Sequence, residues 1–211
     1  MSIHNPAYRE FLDKNKITPL TQPELSQALT QVKGKYPKAG RAMIILLYYT
    51  GCRPVEALML KSEDVQHDGQ NLIVSLKTAK RGVAREVYLP LRNAHIKELR
   101  DFAYSTPPGV KLFYGYISKA IHVKKNYKGD FYMLPQTTAR LHYFFRQWFK
   151  GIRDITPYFL RHNCFSRLAE LGHSELDIKY VKGAKSTDSV QPYLHISSVK
   201  AKKMSSSMGK I

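Results

Sequence analysis

Cysteine is almost absent from this chain of 211 residues: only Cys52 and Cys164 occur. Two cysteines exclude a disulfide framework. They also lack the spacing of a structural zinc site, which takes about four ligands. Each sits beside an arginine-bearing motif, so both are expected to be small buried residues of the core. Long apolar runs are missing too. The longest, Ala42 to Tyr49, is far short of the ~20 residues that span a bilayer. The first residues, Met1 to Asn5, are polar, so no secretory signal is expected and the chain reads as soluble and intracellular. No internal repeat is visible, and the one biased tract is the Lys/Ser-rich stretch from Lys200 to Lys210.

Negative charge is scarce. There are 34 Lys and Arg against 16 Asp and Glu, a net charge of +18. The excess is uneven: residues 111–211 hold 18 basic and 6 acidic residues (+12), and residues 1–110 hold 16 and 10 (+6). A field of that sign attracts polyanions, and nucleic acid is the commonest of them in a cell. The chain is 43% hydrophobic, enough for an ordinary buried core rather than a disordered polymer.

Local signals predict a mainly helical chain. Thr21-Gln22-Pro23-Glu24 is a capping box, predicting a helix over 22–33. Pro37 to Tyr49 reads as a buried helix ended at Thr50-Gly51. Pro54 begins another, with Val55, Leu58 and Met59 at helical spacing. Asn71 to Leu76 alternates and is rich in branched residues, hence a strand, with Ala84 to Leu89 as its partner. Between them lies the basic hairpin tip Lys77-Thr78-Ala79-Lys80-Arg81-Gly82. Helices are expected at about 91–104 and 136–150, the second with Leu141, Phe144, Phe145 and Trp148 as a core stripe. Pro157 to Leu171 is a helix stopped by Gly172. Ser174 starts the next, and Ser186-Thr187-Asp188 caps a short helix carrying Tyr193. One small antiparallel sheet completes an α+β domain at 17–197, with a lead-in at 1–16, possible helix at Pro6 to Leu12, and a basic tail at 198–211.

Three separated residues share one chemistry. Arg53 stands at a helix start, where backbone N–H groups favour an anion. Arg161 lies just inside the helix that begins at Pro157. Two guanidiniums match the non-bridging oxygens of a phosphodiester and stay charged at any working pH. Tyr193 supplies a hydroxyl, a poor nucleophile unless cations or a base help remove its proton. The leaving oxygen needs a proton, and a lysine is the natural donor. This inventory cuts a phosphodiester through a covalent tyrosine link, with no metal and no nucleotide cofactor.

In order and spacing these residues resemble the catalytic domain of the tyrosine recombinases, the phage-integrase family. Thr50, Gly51, Arg53 and Glu56 match the family's T-G-x-R-x-x-E run, with Glu56 placed to hold Arg53 by a charge pair. Lys77 matches the lysine of the family's β-hairpin, with Lys80 a rival on the same hairpin. Arg161-His162 matches the end of H-x-x-R-H. Lys182-Gly183-Ala184 matches a leucine-glycine-histidine segment, and Tyr193 follows nine residues on, as the nucleophile does in the family. Ile17 to Leu25 resembles the usual start of the domain.

The resemblance implies the mainly helical breaking-rejoining fold, double-stranded DNA as partner, a 3′-phosphotyrosyl intermediate, and a homotetramer on DNA that can be a monomer alone. It gives Tyr193, Arg53, Arg161, Lys77 and Tyr158 as catalytic residues, and Lys80, Arg81, Lys182 and Lys185 as DNA contacts. No membrane, small-molecule or cofactor role is implied.

Two departures stand out. Tyr158 occupies the place of the first histidine, and Ala184 that of the second. Tyr158 can still donate a hydrogen bond, but neither residue shuttles protons near neutral pH. Change at the first position makes the chain most similar to integrases of archaeal viruses and plasmids. His162, about 100° around the helix from Arg161, is expected to be a structural histidine rather than the general base; His195 is equally ambiguous, and either of the two could replace the missing proton carrier. Members of the family carry a helical DNA-clamping domain before this one, and only about 16 residues precede the match here. Two alternatives remain open: relaxation of DNA as in type IB topoisomerases, or a DNA-binding relative without catalysis.

Overall fold

The computed structural model describes residues 19–78, 82–117, 121–125, 131–135 and 138–194. The capping box forms as its residues dictate. Thr21 Oγ1 accepts from Glu24 N at 3.3 Å, and Glu24 Oε2 accepts from Thr21 N at 2.8 Å. It opens helix α1, Gln22–Gln31, and a cap of this kind contributes about 1 kcal/mol.

Helix α2, Pro37–Thr50, is apolar on nearly every side along its second half. Such a helix has no face to give to water and must be central. Ala42 through Tyr48 are each no more than 1% exposed. Helices α4 (Ala94–Tyr104) and α6 (Pro157–Glu170) pack on it. Helix α5, Ala139–Trp148, buries Leu141, Phe145 and Trp148, with Phe144 partly covered, as a core stripe should be.

Strands β2 (Asn71–Leu76) and β3 (Arg85–Pro90) pair antiparallel, Asn71 opposite Pro90 and Leu76 opposite Arg85. Leu72, Val74 and Leu76 of β2, and Arg85, Val87 and Leu89 of β3, turn inward with the period of two that a one-sided sheet requires. A short strand β1, Val65–His67, extends this sheet on the far side of β2. A second antiparallel pair, β4 (Ile121–Lys125) and β5 (Phe131–Pro135), lies in a stretch where no strand was expected.

Two buried clusters result. The larger gathers the sheet and helices α1, α2, α4 and α5, together with α3, Pro54–Met59. The smaller holds Cys164, Phe165, Ala169, Ile178, Val190 and Tyr193. It joins α6 to α7 (Glu175–Lys182) and to the four-residue helix α8, Gln191–Leu194. The short helix expected to carry Tyr193 is present, but it begins at Gln191, and Ser186 to Val190 form bends and turns before it. Both cysteines are buried as expected. Burial is the main reason their thiols are pushed up, to about 11 for Cys52 and about 12 for Cys164.

Candidate active site

Helix α2 ends on Gly51, whose φ of +58° is the left-handed stop that glycine tolerates. A β-carbon there would also lie 2.9 Å from the Phe165 ring. The turn delivers Arg53 to the N-cap of α3, with Pro54 as the first helical residue. Glu56 holds Arg53 twice. Its Oε2 accepts from Arg53 N at 2.8 Å, and its Oε1 accepts from Arg53 Nη1 at 2.7 Å. The charge pair expected from the three-residue spacing is therefore formed.

Glu56 is wholly buried in its side chain, so Arg53 alone is not its only support. Arg85 Nη2 donates to the same Oε2 at 3.1 Å, and Arg85 Nε donates to Val181 O at 2.6 Å. Burial works to raise the Glu56 carboxyl, but the Arg53 N–H, the Arg85 charge and the guanidinium hydrogen bonds outweigh it and leave the pKa lowered. Arg85 was not singled out in the sequence. Its signal was there: an arginine at an inward position of an alternating strand needs a buried anion.

Arg161 is 5% exposed. Its Nη1 donates to Gly51 O, its Nη2 donates to Lys182 O at 2.9 Å, and its guanidinium lies 4.8 Å from the Phe165 ring centre. Those bonds fix the plane of the group without using a carboxylate. Burial, then the charge of Arg53, brings its pKa down to about 10, so it remains a cation at neutral pH. The two arginine motifs, far apart in sequence, thus meet at the end of α2.

Tyr193 is 4% exposed. Its ring packs edge-on against Phe165, 5.5 Å between centres, and lies beside His162 at 5.9 Å. His162 Nδ1 is 2.6 Å from the Tyr193 hydroxyl. The structural role expected of His162 was therefore incomplete: it does leave Arg161 on a different side of α6, but it reaches the candidate nucleophile. Burial first, then Lys182 and Arg161, press the His162 imidazole down to about 4, which leaves it neutral near pH 7.

Lys182, expected as a DNA contact, is half-buried. Its Nζ donates to Ser189 O and lies 4.9 Å from the Tyr193 ring centre. Burial, with Arg161 and Arg53 nearby, lowers it to about 7. Gly183, with φ +63°, ends α7 directly after it, and Val83 N donates to Gly183 O at 3.2 Å. This bond ties the hairpin to the segment that carries Tyr193.

Of the other expected residues, Lys77 and Tyr158 have neighbours outside this cluster. Lys77 is largely exposed, with Nζ 2.7 Å from Asp64 Oδ1, and that hydrogen bond raises its proton affinity. Tyr158, at the start of α6, is 43% exposed, and its ring lies 6.2 Å from that of His142. Lys185 is exposed. Lys80 and Arg81 at the hairpin tip, His195, the lead-in at 1–16 and the tail at 198–211 lie outside the described residues. Among the described residues no helix is long and apolar enough to cross a membrane.

Solved structures share this architecture at low identity. XerA recombinase matches at 19% identity with a TM-score of 0.61, over 90% of this chain and 63% of that one. The XerH site-specific recombinase, in a post-cleavage complex with its palindromic difH substrate, matches at 21% with a TM-score of 0.60, over 90% of this chain and 52% of that one. The chain thus spans between half and two thirds of the length of these two proteins. The catalytic domain of bacteriophage HP1 integrase matches at 18% with a TM-score of 0.54, over 88% of this chain and 91% of that domain. At such identities the likeness is one of fold. No curated protein sequence matches. The sequence model of the Phage integrase family does match, over residues 18–199, and with arginines, glutamate and tyrosine set in this fold the chain belongs to that family.

Proposed function

We propose that this domain cuts and rejoins double-stranded DNA as the catalytic part of a site-specific recombinase. Tyr193 attacks a scissile phosphate and forms a 3′-phosphotyrosyl link, freeing a 5′ hydroxyl. Arg53 and Arg161 clamp the phosphate and stabilise its growing charge. The observation that carries the reading is their meeting at the end of α2, with Tyr193 packed on Phe165, the same ring that Arg161 covers. The bond energy stays in the phosphotyrosine, so strand exchange needs no nucleotide.

Lys77 on the hairpin protonates the leaving oxygen in this scheme, which requires it to leave Asp64. Tyr158 donates a hydrogen bond to the phosphate from the solvent-facing start of α6. Lys80, Arg81, Lys182 and Lys185 add positive charge along the DNA path, Lys182 from within the site. The working form is a tetramer on paired sites, residues 17–197 acting as the domain and 198–211 docking on a neighbour. Tyr158 and Ala184 favour the branch carried by archaeal viruses and plasmids.

Two labelled duplexes with the same cleavage sequence test the reading. Recombinant strands should form with the parent chain and vanish with Tyr193→Phe. Plasmid relaxation without any exchanged strand would instead assign the chain to a relaxing enzyme.

A further inference from the structure

A tyrosine nucleophile must lose its proton on attack and regain it when the DNA is rejoined. In this chain, the two places where the family resemblance puts histidine hold Tyr158 and Ala184. Neither side chain is an imidazole, the group suited to proton shuttling near neutral pH. The proton therefore needs another carrier within hydrogen-bond reach of the hydroxyl.

We infer that His162 is that carrier and so a catalytic residue of the site. The inference rests on the reading of Tyr193 as nucleophile. In the Nε2–H tautomer, Nδ1 has a lone pair facing the Tyr193 hydroxyl at 2.6 Å. Nδ1 takes the hydroxyl proton as the tyrosine oxygen bonds to phosphorus. The bond from phosphorus to the 5′ oxygen breaks, and that oxygen takes its proton from the lysine side of the site. On rejoining, the 5′ hydroxyl gives its proton back to the lysine side as it attacks, the phosphorus–tyrosine bond breaks, and the imidazolium returns its proton to the tyrosine oxygen.

The surroundings make this exchange conditional. Among the described residues, three charged or titratable groups lie near His162: Arg161 from its own helix, Lys182 at the end of α7, and Tyr193 from α8. Burial and the two cations hold the imidazole at about 4. Among the described residues, no anion stands by to answer an imidazolium there. A phosphate clamped by Arg53 and Arg161 brings the missing negative charge and raises the imidazole's proton affinity toward the working range. The same cations stabilise the anion left when the phenol proton departs. Proton removal is thereby linked to a bound phosphate, and the tyrosine stays unreactive without one. His162 also follows Arg161 directly in sequence, so the clamp and the base are carried by one turn of α6.

His162→Asn tests the role, since the asparagine amide occupies the position of Nδ1 but cannot take up a proton. His162→Gln serves as a second variant should the first fold poorly. A random-sequence library of nicked duplexes identifies DNA to which the parent chain becomes linked. That duplex is then made with oxygen or with sulfur at the 5′ bridging position. Sulfur leaves without protonation, so it restores variants that lack the acid but not those that lack the base. The folded variants should form adduct at least about a hundredfold more slowly on both duplexes. An unchanged or faster rate would overturn the inference, the faster one making His162 a restraint on the nucleophile. Restoration by sulfur would also overturn it, placing His162 on the leaving-group side. If the parent forms no adduct, or Tyr193→Phe forms one, the nucleophile reading fails and the inference fails with it. A parent adduct that Tyr193→Phe lacks, beside an unimpaired His162→Asn, removes the inference alone.

Discussion

Arg161 donates a hydrogen bond to the carbonyl of Gly51, the left-handed residue that stops α2 two positions before Arg53. One arginine therefore holds the turn that aims the other. Replacing Arg161 should disturb both halves of the clamp, and Arg161→Lys cannot span the same two carbonyls with a planar fork. Arg161→Lys is expected to retain the fold in far-ultraviolet circular dichroism and to lower the rate of adduct formation by two orders of magnitude or more.

Glu56 and Arg85 form a buried pair on which Arg53 depends. Removing the carboxylate strands a guanidinium in the core. Glu56→Gln should cost about 3–5 kcal/mol of folding free energy, measured by urea denaturation. Glu56→Leu with Arg85→Met should recover much of that loss while leaving Arg53 unsupported, so stability returns and activity does not.

Gly183 allows the chain to turn directly after Lys182. A β-carbon there would sit 2.5 Å from Arg85 Nη1 and 2.9 Å from Val83 O, at a φ of +63°. Gly183→Ala is expected to cost about 1–3 kcal/mol in thermal or urea unfolding. It should also slow adduct formation, because the same turn sets Lys182 against the Tyr193 ring.

The His162 imidazole is held at about 4, against 6.5 for the free group. Between those values the unfolded chain binds a proton that the folded chain does not. This part of the stability is therefore complete above pH 6.5 and is lost as pH falls toward 4, by about 3 kcal/mol at most. Urea titrations across pH 4–7 should show that slope in the parent. His162→Asn should lack it, while the slopes from the carboxylates remain in both.

Lys77 carries the leaving-group role across from the hairpin, where Asp64 now holds its ammonium. Lys77→Ala should slow cleavage of an ordinary duplex by about a hundredfold or more and be restored by sulfur at the 5′ bridging position. Failure of sulfur to restore it would move the role to another cation, with Lys182 next in line.

Much of this arrangement was legible because it is local. The Thr21 capping box, the turn at Gly51, the pairing of Asn71–Leu76 with the strand before Pro90, and the Arg53–Glu56 pair depend on residues a few positions apart. What was missed depends on distant segments. Helical geometry correctly puts His162 on a different side of α6 from Arg161, but it says nothing of which segment covers that side, and α8 brings Tyr193 there. Arg85 was readable as an inward arginine, yet its partner Glu56 lies on another element. Strand β1 is three residues long, too short for alternation to register. The pair β4–β5 joins Ile121-His122-Val123-Lys124-Lys125 to Phe131-Tyr132-Met133-Leu134-Pro135, and the first of these has a mostly polar, lysine-ended pattern.

The central claim is that Tyr193 becomes covalently joined to DNA. The most direct test incubates the parent chain and Tyr193→Phe, in chelator, with a pooled library of nicked duplexes and resolves both on a denaturing protein gel. The account predicts a DNA-linked band with the parent and none with the variant. Equal DNA binding by both chains, with no linked band from the parent on any duplex it binds, would contradict it.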